Sequence, residues 1–100
     1  MISVKVEYTV EFGFVEENKS NIQKVMEALQ QQPIEGMYYS SQTINDSPNT
    51  FVHYNLAKDT ETMSKLSELD EFKAFQKALK ASKPLSPPQA TNMTVVGVGF

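Results

Sequence analysis

"ISVKVEYTVEF", residues 2–12, alternates apolar and polar side chains without a break. Ile2, Val4, Val6, Tyr8, Val10 and Phe12 point one way, and Ser3, Lys5, Glu7, Thr9 and Glu11 the other. Period two over this length predicts a half-buried strand, and Gly13 behind it permits a turn. An apolar strand face needs a cover, and the following residues supply one.

Over residues 15–32 the period changes. Ile22, Val25, Met26 and Leu29 fall on one helical stripe, Glu16 and Glu17 occupy a first turn where the helix dipole favours acids, and Pro33 ends the run. "IEGMYYSSQTI", 34–44, and "TFVHYNLA", 50–57, read as two strands joined by the turn chemistry of "NDSPN", 45–49. Residues 60–82 read as a helix in two pieces. "DTE", 59–61, is a helix start, and "SELD", 67–70, is a capping box with Ser67 as N-cap and Asp70 reaching back. The second piece carries Phe72, Phe75 and Leu79 on one stripe and a solvated row of Lys73, Lys77 and Lys80 on another. "KPLSPPQ", 83–89, crosses extended, and "TNMTVVGVGF", 91–100, is expected as the last strand.

The order β-α-β-β-α-β predicts an α+β, ferredoxin-like domain over residues 1–100, with both helices on one face of a four-stranded antiparallel sheet. The first and third strands are central. If Val52, Tyr54 and Leu56 lie under the helices beside the apolar set of the first strand, then Phe51, His53 and Asn55 share the open face with Lys5, Glu7 and Thr9. One of Tyr38 and Tyr39 must join them, because adjacent strand residues point to opposite faces. A second copy of the sheet, related by a two-fold axis, is the expected cover for that face.

Composition narrows the chemistry. Nine lysines, no arginine and a net charge of −3 argue against a nucleic-acid partner. No apolar run approaches the ~20 residues of a membrane span, and the N-terminus lacks the pattern of a secretory signal. The absence of cysteine removes disulfides, thiolate metal sites and a cysteine nucleophile, so a cytoplasmic setting is expected. One histidine and scattered acids offer no transition-metal ligand set, and neither a nucleophile elbow nor a phosphate-binding glycine loop is present.

"TFVHYNLAKDTETMSKLSELDEFKAFQKALKASKP", 50–84, with its strand, acidic turn and helix carrying F-x-x-F, resembles antibiotic-biosynthesis-monooxygenase-like proteins of the dimeric α+β barrel superfamily. "VKVEYTV", 4–10, and "VVGVG", 95–99, look like an uncharacterised branch of it. The resemblance implies a homodimer whose two sheets close a barrel, and a ligand cleft between sheet and helices. It also implies oxygen chemistry that in many members needs neither metal nor flavin, so no cofactor is expected. The chain departs from better-known members in carrying Asn55 and Ala57 where many have glutamate and then tryptophan late in the third strand. It has no tryptophan anywhere and no histidine over 60–82, where the haem-degrading branch carries one. No catalytic set transfers residue by residue.

The candidate residues follow from the faces. His53 paired with Glu7 could act as acid or base on a bound phenol, although the plainer reading makes His53 a satisfied polar group inside the dimer. Tyr8, Tyr38, Tyr39 and Tyr54 could line an aromatic pocket, against the plain alternative of strand propensity. Tyr54 stands as the best placed of them for a sheet–helix cleft. Phe72 and Phe75, with Met26 and Met63, could floor that cleft or be ordinary core. The leading functional expectation is a small-molecule-binding barrel resembling cofactor-independent monooxygenases that act on aromatic or quinol-like compounds. The alternative is a non-catalytic dimer that binds a ligand or another protein. A cleft of ~300 Å³ or more with tyrosine hydroxyls converging on it would favour the first.

Overall fold

The computed structural model describes residues 1–99. Strand β1 covers Ile2–Thr9, and a 3-10 turn at Phe12–Phe14 leads into helix α1, Val15–Gln31. Strands β2, Met37–Ile44, and β3, Ser47–Ala57, form a hairpin. A short helix α2, Thr60–Ser64, and a 3-10 turn at Leu66–Glu68 precede α3, Asp70–Ala81, and strand β4, Ser86–Met93. All neighbouring strands are antiparallel in the order β2-β3-β1-β4, so β1 and β3 are central, the ferredoxin-like arrangement. Among the described residues no helix is long and apolar enough to cross a membrane.

The helices form where the periodicity placed them. α1 buries Ile22 and Val25, and α3 buries Phe75 and Leu79 against the sheet. Each such side chain contributes roughly 1.5–3 kcal/mol on leaving water. These residues meet Tyr8, Val10, Phe51 and Leu66 in one cluster on one side of the sheet. Gly36, at φ +80°, turns the chain into β2, and its carbonyl accepts from the Lys58 N–H at 2.9 Å, which pins the far end of the hairpin.

The faces of the sheet differ from the expectation. Directly opposed residues share a face, and Val4, Val6 and Tyr8 of β1 stand opposite Asn55, His53 and Phe51 of β3. Phe51, His53 and Asn55 therefore lie under the helices. Val52, Tyr54 and Leu56 lie on the open face, opposite Glu7, Lys5 and Ser3. The phase inverted because Phe51, Val52 and His53 are all buried, so β3 has no polar side from which to read its orientation. On β2, Tyr39 joins the helix face opposite Asn55, and Tyr38 joins the open face opposite Leu56.

Three local expectations also change. The capping box at 67–70 does not form: residues 66–68 continue as a 3-10 turn, the Ser67 hydroxyl donates to the Ser64 carbonyl, and Leu69 is the N-cap of α3. Asp59 does cap α2, accepting from the Thr62 N–H at 2.7 Å. Phe12 leaves the apolar face of β1 for the 3-10 turn and is exposed. The last strand runs over Ser86–Met93 rather than 91–100, and Phe100 of that expectation lies outside the described residues. Proline is excluded from a central strand but tolerated at an edge or a bulge. Pro87 and Pro88 sit in edge strand β4, where its register against β1 shifts between Glu7 and Thr9.

Candidate functional site

The inverted phase moves the chain's one histidine from the open face into a cleft. A cavity of about 480 Å³ opens between the sheet and α3. Val4, Val6 and Tyr8 of β1, Tyr39 of β2, and His53 and Asn55 of β3 form its floor. Phe72, Phe75, Gln76 and Leu79 of α3 roof it, Met63 and Leu66 close one side, and Pro84, Pro87 and Pro88 form the rim with Lys80. The lining is mainly apolar with a few converging polar groups, which is the usual make-up of a small-molecule site.

Those polar groups are connected. The Asn18 Nδ2 of α1 donates to the Tyr8 hydroxyl at 2.9 Å. The same hydroxyl lies 2.8 Å from His53 Nε2, and the Tyr39 hydroxyl lies 2.8 Å from His53 Nδ1. Ring stacking fixes the imidazole between the two phenols, with centroids at 5.3 Å to Tyr8 and 5.8 Å to Tyr39. Phe75 covers the imidazole at 5.5 Å, and Phe72 meets Tyr39 edge-on at 6.3 Å.

Burial sets the charge state of this group. His53 is 4% exposed, and desolvation pushes its pKa down to about 4, so it is neutral at pH 7. Desolvation likewise drives Tyr8 and Tyr39 well above the ordinary tyrosine value, which leaves both as hydroxyls. Two buried acceptors remain open: Asn18 Oδ1 and Asn55 Oδ1 have no hydrogen-bond partner among the described residues. The second belongs to a residue of the cleft lining.

Six of the sequence-derived candidates thus come together in one place: Tyr8, Tyr39, His53, Met63, Phe72 and Phe75 all line the cleft. Others do not. Glu7 is on the opposite face of β1, across from Val52, so the expected His53–Glu7 pair does not exist. Tyr54 is 43% exposed on the open face and edges a separate groove along β2 with Met26 and Leu56. Asn18 went unread in the sequence. Its signal is its place four residues before Ile22 on the apolar stripe of α1, where a fully buried amide demands a partner. Among the described residues no cluster of three or more His, Cys, Asp or Glu side chains could hold a metal ion.

No protein-family model matches the chain, and no curated protein matches it either. Solved structures do match in shape. A crystal structure of an antibiotic biosynthesis monooxygenase superposes with a TM-score of 0.82 at 14% identity, covering 97% of this chain and all of the other. The fold is that of the antibiotic biosynthesis monooxygenases. A Nitrosomonas europaea protein carrying the monooxygenase name shares this fold, with a TM-score of 0.81 at 16% identity over 95% of this chain and 89% of its own. The cofactor-independent oxygenase SnoaB from Streptomyces nogalater also has the monooxygenase fold, with a TM-score of 0.71 at 19% identity over 97% and 94%. At these identities the likeness concerns the monooxygenase fold alone.

Proposed function

We propose that the cleft beneath α3 binds a planar, hydroxylated aromatic compound and that the chain oxidises it with molecular oxygen without a bound cofactor. The observation that carries this reading is the Tyr8–His53–Tyr39 array, set in an apolar cavity of about 480 Å³ large enough for a fused-ring compound. Asn55 lines the cleft, and its Oδ1 is buried without a partner among the described residues, so a turn of that side chain would give a ligand hydroxyl an acceptor. SnoaB, which shares the fold, is a cofactor-independent oxygenase, and that adds weight.

The stoichiometry closes without a further reductant. A quinol and O2 give a hydroxylated quinone and water, with one oxygen atom entering the ring and the quinol providing all four electrons. The protein's part is to orient the ring, exclude water and move protons. His53, held neutral with both nitrogens paired to tyrosine hydroxyls, acts as base through them, and those hydroxyls donate to or accept from the oxygen atoms whose charge changes.

The reading is tested by oxygen uptake with a panel of quinols under air. Turnover is expected with at least one of them and is expected to be lost in His53→Ala. Unchanged turnover in that variant would end the catalytic role. A second reading, a non-catalytic ligand-binding protein, is favoured by the fact that both imidazole nitrogens of His53 already have partners. It predicts ligand binding with no oxygen uptake.

The open face, with Tyr38 and Tyr54 exposed beside Leu56, and the exposed Val96 and Val98 beyond β4, support a second copy of this chain as its cover. The proposed setting is the cytoplasm and the proposed assembly a homodimer.

A further inference from the structure

We propose that Asn18 fixes the direction of every hydrogen bond from α1 to the cleft, so that Tyr39 presents its hydroxyl proton to the ligand and selects compounds bearing an acceptor oxygen there, a ring carbonyl or a phenolate. The inference rests on reading the cleft as a ligand site. The amide of Asn18 donates to the Tyr8 oxygen, so the one Tyr8 proton has His53 Nε2 as its acceptor at 2.8 Å. A neutral imidazole accepting at Nε2 carries its proton on Nδ1. That N–H donates to the Tyr39 oxygen at 2.8 Å. The Tyr39 proton is then left without an acceptor among the described residues, on a residue that lines the cleft. A fully buried amide at one end of the array thus determines what the other end offers.

Asn18 touches no ligand in this scheme. It is a positioning residue acting through Tyr8 and His53, and reversing its amide would reverse the whole array. Tyr39 would then donate to Nδ1, and the cleft would ask for a donor at the same spot. Ligand preference and imidazole tautomer are therefore one property read in two ways.

Both are measurable on the intact chain. Nitrogen-15 NMR of His53 at pH 7 is expected to show a protonated Nδ1 and an unprotonated Nε2; the opposite tautomer overturns the proposal. In Asn18→Leu the tautomer is expected to become mixed, and a tautomer unchanged in a folded Asn18→Leu protein would remove Asn18 from its role. Should that variant fail to fold, ligand binding to the native chain decides. 1-Tetralone is expected to bind about tenfold more tightly than tetralin, the same bicycle without the carbonyl. That preference should vanish in Tyr39→Phe. Equal binding of the two compounds, or a ketone preference that survives Tyr39→Phe, overturns the proposal. Neither readout depends on turnover. Absent oxygen uptake with the Nδ1–H tautomer intact would sink the oxygenase reading alone, and uptake with the reversed tautomer would sink this one alone.

Discussion

The hydroxyl of Tyr8 stands 2.8 Å from Nε2 of His53, and the two rings stack with centroids 5.3 Å apart. The contact joins neighbouring central strands and also holds the Asn18 amide, whose Oδ1 is already without a partner. Tyr8→Phe keeps the ring and its stacking on Phe51 but leaves both polar atoms of a fully buried amide unpaired. A loss of about 2–3 kcal/mol in urea unfolding is expected. Adding Asn18→Leu should recover part of it, because the orphaned group is then gone. A double variant no more stable than Tyr8→Phe would contradict this account.

Acid should weaken the fold through His53. The groups around it are Tyr8 from β1, Tyr39 from β2 and Phe75 from α3, with Lys80 at the cleft rim; none favours the charged imidazole. Its pKa falls from 6.5 unfolded to about 4 folded, so between those values the unfolded chain holds a proton that the folded chain does not. Stability is therefore flat with pH above about 6.5, falls as pH drops toward 4, and loses on the order of 3 kcal/mol across the window. His53→Gln should lack this slope, measured as the difference in urea midpoints between pH 7 and pH 4.5. Titrating surface carboxylates affect both proteins alike and drop out of the comparison.

Tyr54 and His53 are adjacent in sequence and serve different surfaces. Tyr54→Asp places a charge on the open face opposite Lys5, away from the cleft. If a second copy covers that face, light scattering at micromolar concentration should show a dimer for the native chain and a monomer for the variant. A native chain that is monomeric would refute the proposed assembly.

Two backbone positions should respond in opposite directions. Gly36 has φ +80°, and a Cβ there would come within 2.6 Å of the Lys58 side chain. The lysine can move but the dihedral cannot, so Gly36→Ala should cost about 1–2 kcal/mol. Lys83, just past the C-terminus of α3, has φ 54° with a side chain in place. Lys83→Gly should gain about 0.5–1 kcal/mol. Thermal midpoints that move the other way would exclude the backbone explanation.

Much of this architecture is readable from the sequence because its elements have clean periods. The alternation from Ile2 to Val10 and the stripes through Ile22–Val25 and Phe72–Phe75–Leu79 each point to one side, and Tyr8, Val10, Ile22, Val25, Phe75 and Leu79 are buried there, whereas Phe12 is not. β3 defeats the same method. In this central strand Val52, on the open face, and His53, under the helices, are both buried, and alternation fixes the period without fixing the phase. Only the register with β1 settles it, and register is a long-range property. The candidate site inherited that ambiguity: the residue types were recognisable, but which tyrosines belong with His53 was not. β4 was misplaced for a different reason. Strand propensity describes paired residues on a pleated surface, and an edge strand can accept prolines that propensity rejects.

Those prolines have one more effect. A free sheet edge is a template on which a foreign strand can dock, and every N–H along it is a potential attachment point. Pro87 and Pro88 contribute none, and both also belong to the rim of the cleft. The opening through which a ligand would pass is thereby also a stretch of edge that resists fibril growth, so replacing these prolines to widen access should raise the tendency to aggregate.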